Sequence, residues 1–219
     1  MRLHHKEKKI MALVLVPLSF TLGCYLVLAL LLSPVLDPLF SIYSLVTSDS
    51  VVSEDSEDLY ANKLVPSETI KASDIKQPKY GDLFAKINID KVNFHANLYY
   101  GDGTLQLRSG VGLYTGSFLP GFNRTSLIAG HCVPYFECLG DVASGDSISV
   151  STHYGDFEYK ITETKILQAD DPSAFDLQQT EKEQLILYTC YPFELIGYKS
   201  QRLFVYADKV SGPTILEGQ

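Results

Sequence analysis

A thiol, an imidazole and a guanidinium are the side chains in this 219-residue sequence best suited to acyl chemistry. Four cysteines are present, and Cys24 lies inside a long apolar run, where a thiol behaves as a small hydrophobe. Cys132, Cys138 and Cys190 remain, an odd number, so at least one cannot pair within the chain. Cys190 ends the most hydrophobic strand candidate, QLILYT, and precedes Tyr191-Pro192. A side chain at the end of a buried strand is held rigidly while the loop beyond it opens a cleft, which suits a nucleophile. Cys132 and Cys138 flank a short loop and could bridge locally.

A thiol needs a neighbour that promotes the thiolate, and imidazole is the usual one because it can also protonate a leaving amine. His4 and His5 lie in the basic N-terminal tip, and His95 and His153 lie within strand patterns. His131 ends the apolar run Leu127–Gly130, at a second strand end. Acyl transfer also needs a donor where the oxyanion develops. Arg202 stands twelve residues after Cys190 and opens another strand candidate, so an antiparallel return brings it back beside the cysteine. Only Arg108, Arg124 and Arg202 lie beyond the N-terminal tip. Zinc on His131, Cys132, Cys138 and Cys190 is the competing use of these residues. The Cys-x5-Cys spacing is looser than that of ordinary zinc sites, so no metal and no cofactor are expected.

The elements that must hold these groups are strands. From Asp82 onward the apolar residues recur with period two. Leu83, Ala85, Ile87 and Ile89 alternate with polar residues, as do Val92, Phe94, Ala96 and Leu98. Further candidates are Val111–Thr115, Ser126–Gly130, Ser147–His153, Phe157–Leu167, Gln184–Thr189 and Leu203–Asp208, with a clear hairpin at Tyr154-Gly155-Asp156. Short helical turns are expected at Thr104–Ser109, Tyr135–Val142 and Asp171–Thr180. Eight short strands in so compact a region predict an all-β fold, a closed barrel or a sandwich.

The rest of the chain reads as an anchor and a spacer. Ile10–Leu36 contains no charged residue and exceeds the ~20 apolar residues that a membrane helix needs. Residues 1–9 carry +3, which leaves −11 of the overall −8 on the remainder. A basic tip stays cytoplasmic, so the body is expected outside the cell membrane, behind a single-pass anchor. The run is longer than the core of a cleaved signal peptide. Residues 47–58 hold five acids and no base, a composition that does not bury enough apolar surface to fold alone. The predicted organisation is a cytoplasmic tip at 1–9, a transmembrane helix at 10–36, a linker at 37–79, a catalytic barrel at 80–210 and a tail at 211–219. The negative charge argues against nucleic acid as a partner. The hydropathy excludes a wholly disordered chain and a multi-span membrane protein.

These residues resemble those of the sortases, membrane-anchored cysteine transpeptidases of Gram-positive bacteria. The matching stretches are LIAGH ending in His131, LILYTCYPF around Cys190 and QRLFVYA from Gln201. The family pattern TLxTC, followed by an Arg one strand later, fits Leu187-Tyr188-Thr189-Cys190 and Arg202, with Ile186 where Thr is usual. GDLFAKINI, GVGLY, LPG and YFECLGDVASGDSISV also read as framework, so the likeness runs from about Lys79 to Val210. It is strongest to class D. A class C lid motif is missing, since Asp37-Pro38-Leu39 lacks the aromatic residue, and no second hydrophobic anchor follows. The Asp170–Glu183 connection is too short for a class B insertion. Cys132, directly after the histidine, departs from the family.

The resemblance implies an eight-stranded sortase barrel with Cys190 as nucleophile, His131 as proton donor and Arg202 as oxyanion stabiliser. Thr189, just before the thiol, is expected to bind substrate through its backbone or to support the thiol from behind. The implied partners are LPxTG-like sorting signals of surface proteins and a cell-wall precursor amine, with membrane lipid around the N-terminal helix. A secreted cysteine peptidase or amidase would use the same triad for hydrolysis. A non-catalytic anchored barrel would use the cysteines structurally.

Overall fold

A computed structural model describes residues 15–28, 56–61, 63–64, 67–193 and 199–216. The chain divides into two compact units, Met1–Thr47 and Ser48–Gln219. In the first, the described residues form one apolar helix, α1 (residues 15–28), with every side chain exposed. Among the described residues no helix is long and apolar enough to cross a membrane. The expected span at 10–36 extends on both sides beyond this described part, and the tip at 1–9 lies outside it.

The second unit is a closed barrel with short helical pieces. Its strands, in chain order, are β1 (Thr69–Lys71), β2 (Leu83–Ile89), β3 (Phe94–Tyr100), β4 (Val111–Leu113), β5 (Thr125–Ala129), β6 (Ser147–Thr152), β7 (Asp156–Gln168), β8 (Gln184–Tyr191), β9 (Gln201–Ser211) and β10 (Thr214–Leu216). One short helix, α2 (Thr104–Ser109), precedes β4. The barrel closes in the order β2-β3-β4-β5-β8-β9-β7-β6, and β1 and β10 pair separately in parallel. Two barrel contacts are parallel, β3 with β4 and β5 with β8, and the rest are antiparallel.

The period-two pattern explains this arrangement. Inward residues such as Ile87, Leu98, Ile128, Val150, Tyr159, Leu187 and Val205 form the core. A second cluster, Leu127, Ile186, Phe204 and Tyr206 with Ala174, lies on the outer face of β5, β8 and β9 under the 169–183 connection. Its presence fixes the parity of each strand. Residues of β8 in step with Ile186 point outward, and those in step with Leu187 point inward.

Three expectations need correction. Asp171–Thr180 forms turns without a helix. There Asp171 and Asp176 accept hydrogen bonds from the backbone N–H of Ser173 and Gln178, and such local bonds compete with helix formation. The strand expected at Val111–Thr115 stops at Leu113, because Tyr114 and Ser117 close a turn. The described part of the expected linker is docked on the barrel. Leu59, Ile70 and Ile75 are buried in the same core as Ile215 of β10.

Candidate active site

Cys190 and Arg202 are paired across the β8–β9 ladder. Directly opposed antiparallel residues have Cβ atoms about 4.5–5.5 Å apart. Cys190 is in step with Ile186 and Tyr188, and Arg202 with Phe204 and Tyr206, so both project from the outer face. Arg202 is fastened by its own hairpin: Nη1 donates to the carbonyls of Lys199 and Gln201, each at 2.9 Å. Lys199 Nζ donates in turn to the Pro192 carbonyl, which draws together the two ends of the turn that follows Cys190.

His131 comes from β5. The parallel register pairs Ala129 with Tyr188, and Gly130 N donates to the Tyr188 carbonyl at 3.2 Å. His131 follows the end of β5 by two residues, and Cys190 follows Tyr188 by two on the neighbouring strand, so both leave the ladder at the same end. All three groups predicted from the sequence therefore lie at one end of the barrel.

The loop after His131 is held from beneath. Phe136 N donates to the His131 carbonyl at 2.9 Å, which closes a tight turn. The Phe136 ring is fully buried and packs at a tilt against Phe94, with ring centroids 5.4 Å apart. Gly130 is required here, since a Cβ would lie 2.5 Å from Phe136 Cδ2. Burial, followed by the charge of Arg108, holds the His131 pKa below the ordinary histidine value, so its imidazole rests neutral at neutral pH. A neutral imidazole can accept the thiol proton and pass it to an amine.

The other cysteines are set apart by their surroundings. Burial pushes the Cys138 thiol up to about 11. Burial, then the nearby Cys190, raises Cys132, with Lys199 opposing. None of the three is bridged, so the local Cys132–Cys138 disulfide is not formed here. His131, Cys132, Cys138 and Cys190 do not gather into a metal-holding cluster among the described residues.

Thr189 is in step with Leu187 and points into the barrel, opposite Leu203. It is 2% exposed and its hydroxyl takes no hydrogen bond among the described residues. Its side chain therefore faces away from a substrate on the outer face, which leaves support of the thiol as the role its side chain can take. Tyr188 is the residue that lines that face. Its ring stacks on Phe204 at 5.8 Å, and its hydroxyl donates to Asp102 at 3.5 Å. Burial, then Asp102, pushes its pKa up to about 12, so it remains a donor. Tyr188 occupies the variable position of the sequence pattern, and strand parity is the signal that would have singled it out.

Comparison with known proteins agrees with this geometry. The family model of the sortase domain matches residues 87–210. Sortase D of Bacillus subtilis (strain 168) is 36% identical over 135 residues, covering 62% of this chain and 68% of that protein. Among solved structures, the Clostridium perfringens Sortase D5 transpeptidase has a TM-score of 0.56 at 24% identity, covering 62% of this chain and 83% of that one. That likeness concerns the fold. A Clostridium perfringens sortase C, solved with the C-terminal cell wall sorting motif, has a TM-score of 0.55 at 26% identity, covering 61% and 73%. The closed eight-stranded barrel, the matched domain and the relative in class D lead to one conclusion: this chain belongs to the sortase family of cysteine transpeptidases.

Proposed function

We propose that the enzyme cleaves an LPxTG-like sorting signal and joins the released acyl group to a cell-wall amine. Cys190 attacks the scissile carbonyl, His131 moves the protons and Arg202 stabilises the oxyanion. The observation that carries this reading is the direct pairing of Cys190 with Arg202 beside the end of β5. Neutral His131 takes the proton from the Cys190 thiol. The thiolate sulfur bonds to the scissile carbonyl carbon, and the tetrahedral oxygen faces the Arg202 guanidinium. Collapse breaks the C–N bond, and His131 delivers its proton to the departing amine. The thioester left on Cys190 is resolved by an acceptor amine, whose proton His131 removes.

The half-buried Tyr188, stacked on the buried Phe204 ring, stands on the same face as Cys190 and offers the signal peptide an aromatic edge. The sorting motif held by the sortase C relative supports a substrate of this class. Thr189 supports Cys190 from the inner side. The run of apolar residues from Ile10, part of which forms the exposed helix α1, supports a single-pass anchor with the basic tip in the cytoplasm and the barrel outside. A tether of this kind raises the local concentration of membrane-borne substrates.

The test is a sorting-signal peptide mixed with an amine acceptor, with products read by mass spectrometry. Wild-type enzyme gives the ligated peptide, and Cys190→Ala gives neither ligation nor cleavage. Hydrolysis alone in the presence of excess acceptor would point to a peptidase. Cleavage by the Cys190→Ala protein would refute the assignment.

A further inference from the structure

A second arginine stands beside the imidazole. Arg108 occupies the last turn of α2, and β4 begins three residues later. The β4–β5 ladder pairs Gly112 with Ala129 and Leu113 with Ile128. This ladder brings the start of β4, just after α2, beside the end of β5, just before His131. The Tyr135 hydroxyl donates to the Arg108 carbonyl at 3.1 Å, and the turn closed by Phe136 N on the His131 carbonyl belongs to the same loop. One short loop thus fastens the end of α2 to His131.

The three arginines beyond the N-terminal tip have different surroundings. Arg202 is anchored on two carbonyls. Arg124 lies 4.9 Å over the Phe118 ring. The half-buried Arg108 guanidinium has no hydrogen bond, ion pair or ring contact among the described residues. Its charge reaches His131, where it disfavours protonation. A free guanidinium fits a carboxylate through two parallel hydrogen bonds.

Its position decides which part of the reaction it meets. On the roles proposed above, the acyl carbonyl meets Arg202 on β9, the partner of Cys190. The amine side of the bond lies toward His131, at the junction of β5 and α2. A bare ammonium approaching there is repelled by Arg108. We propose that Arg108 binds a carboxylate on the acceptor, and that the preferred acceptor is an amine with a carboxylate on the same or the neighbouring carbon. This inference rests on the roles given above to Cys190 and His131. In the step concerned, the acceptor nitrogen bonds to the thioester carbon, the C–S bond breaks, and the electron pair returns to Cys190 as thiolate. The amine proton passes to His131. The departing peptide presents an internal amide at this position, with no carboxylate beside it. Arg108 therefore favours the acceptor over return of the leaving peptide.

The test uses the full-length enzyme, a sorting-signal peptide and two acceptors, glycine and glycinamide, at pH 8. Each variant is judged by the ratio of acceptor kcat/KM values, which cancels the different amine basicities. Arg108→Gln should lower kcat/KM for glycine about tenfold, the loss of a charge-assisted pair, and that for glycinamide less than twofold. Arg108→Lys should retain part of the preference. Equal losses for both acceptors would reduce Arg108 to a tuner of His131 and overturn the proposal. No loss for either would overturn it too. A change confined to the KM of the signal peptide would assign the guanidinium to that peptide instead, and also overturn it. Cleavage by a Cys190→Ala control would refute the underlying mechanism, and so is distinguishable from failure of this inference.

Discussion

Cys190 and Arg202 are direct partners in the antiparallel β8–β9 ladder, so their spacing is set by backbone hydrogen bonds and not by loop conformation. The guanidinium is held on the carbonyls of Lys199 and Gln201 before any substrate arrives. Preorganisation of this kind is what makes a donor effective at a developing oxyanion. Arg202→Ala is expected to lower kcat/KM for the acylation step by about 10²–10³-fold, the usual effect of removing one such donor. Arg202→Lys should recover little of this, because an ammonium cannot span both carbonyls and still face the oxyanion. Single-turnover formation of the thioester measures it.

The histidines make the protein sensitive to acid. His131 and His153 both have pKa values below the ordinary 6.5, in each case chiefly through burial. Their depressed values mean that the unfolded chain binds protons more readily. The stability they contribute is therefore complete above about pH 6.5 and falls as pH drops through that value toward the folded pKa. Melting temperature should decrease from pH 7.5 to 5.5. The acid limb of acylation should lie below 6.5, since neutral His131 accepts the thiol proton. Arg108→Gln removes one of the two causes and should move that limb to higher pH. A limb unmoved by this substitution would contradict the assigned influence of Arg108.

Glu183 braces the end of the barrel opposite the site. Its carboxylate accepts from Gly121 N at 2.7 Å and the Tyr159 hydroxyl at 2.6 Å, and pairs with Lys209 at 3.0 Å. The two side chains are 3% and 15% exposed. Removing one partner of a buried pair leaves the other charge uncompensated, at about 3–5 kcal/mol. Glu183→Ala should lose stability of that order in chemical denaturation. Glu183→Gln should lose less, because the amide still accepts from Gly121 and Tyr159.

Thiol chemistry should separate the three barrel cysteines. With Cys138 pushed up to about 11 by burial, roughly one molecule in a thousand carries that thiolate at pH 8. Cys132 is also raised. Brief treatment with iodoacetamide, mapped by mass spectrometry, should label Cys190 first and Cys138 last. The first label should coincide with loss of activity.

The turn beneath His131 depends on the absence of one methyl group. Gly130→Ala drives a Cβ to 2.5 Å from the Phe136 ring. The ring plugs the barrel and cannot move freely, so the substitution should cost about 1–3 kcal/mol. It should also lower activity by displacing His131, and thermal unfolding paired with acylation kinetics would show both effects.

The residues that meet at the site could be found from sequence because each sits at a strand end, where period-two patterning marks the strand and its limits. That His131 adjoins Cys190 is a different matter. It depends on the parallel β5–β8 pairing, a long-range contact that local pattern does not encode. Which way Thr189 points is legible only from strand parity, since Cys190 beside it faces the opposite side of the strand. The segment containing Leu59, Ile70 and Ile75 looked like spacer because acidic residues precede it and its apolar residues are sparse. Those few residues are nonetheless buried, since β1 has only three residues and relies on β10 as its partner. Arg108 was visible as one of few arginines, but its nearness to His131 comes from the β4–β5 register.

The strand order also governs when the enzyme becomes competent during synthesis. β5 finds its parallel neighbour only when β8 exists, and β7 finds its second, antiparallel neighbour only when β9 does. Until then the chain holding His131 is an open sheet with unfilled edges. A growing polypeptide therefore carries its imidazole, and then its thiol, without the guanidinium that completes the set. On the proposed roles, the group assigned to the oxyanion joins the thiol only when β9 pairs with β8, so the set is completed by the last long strand.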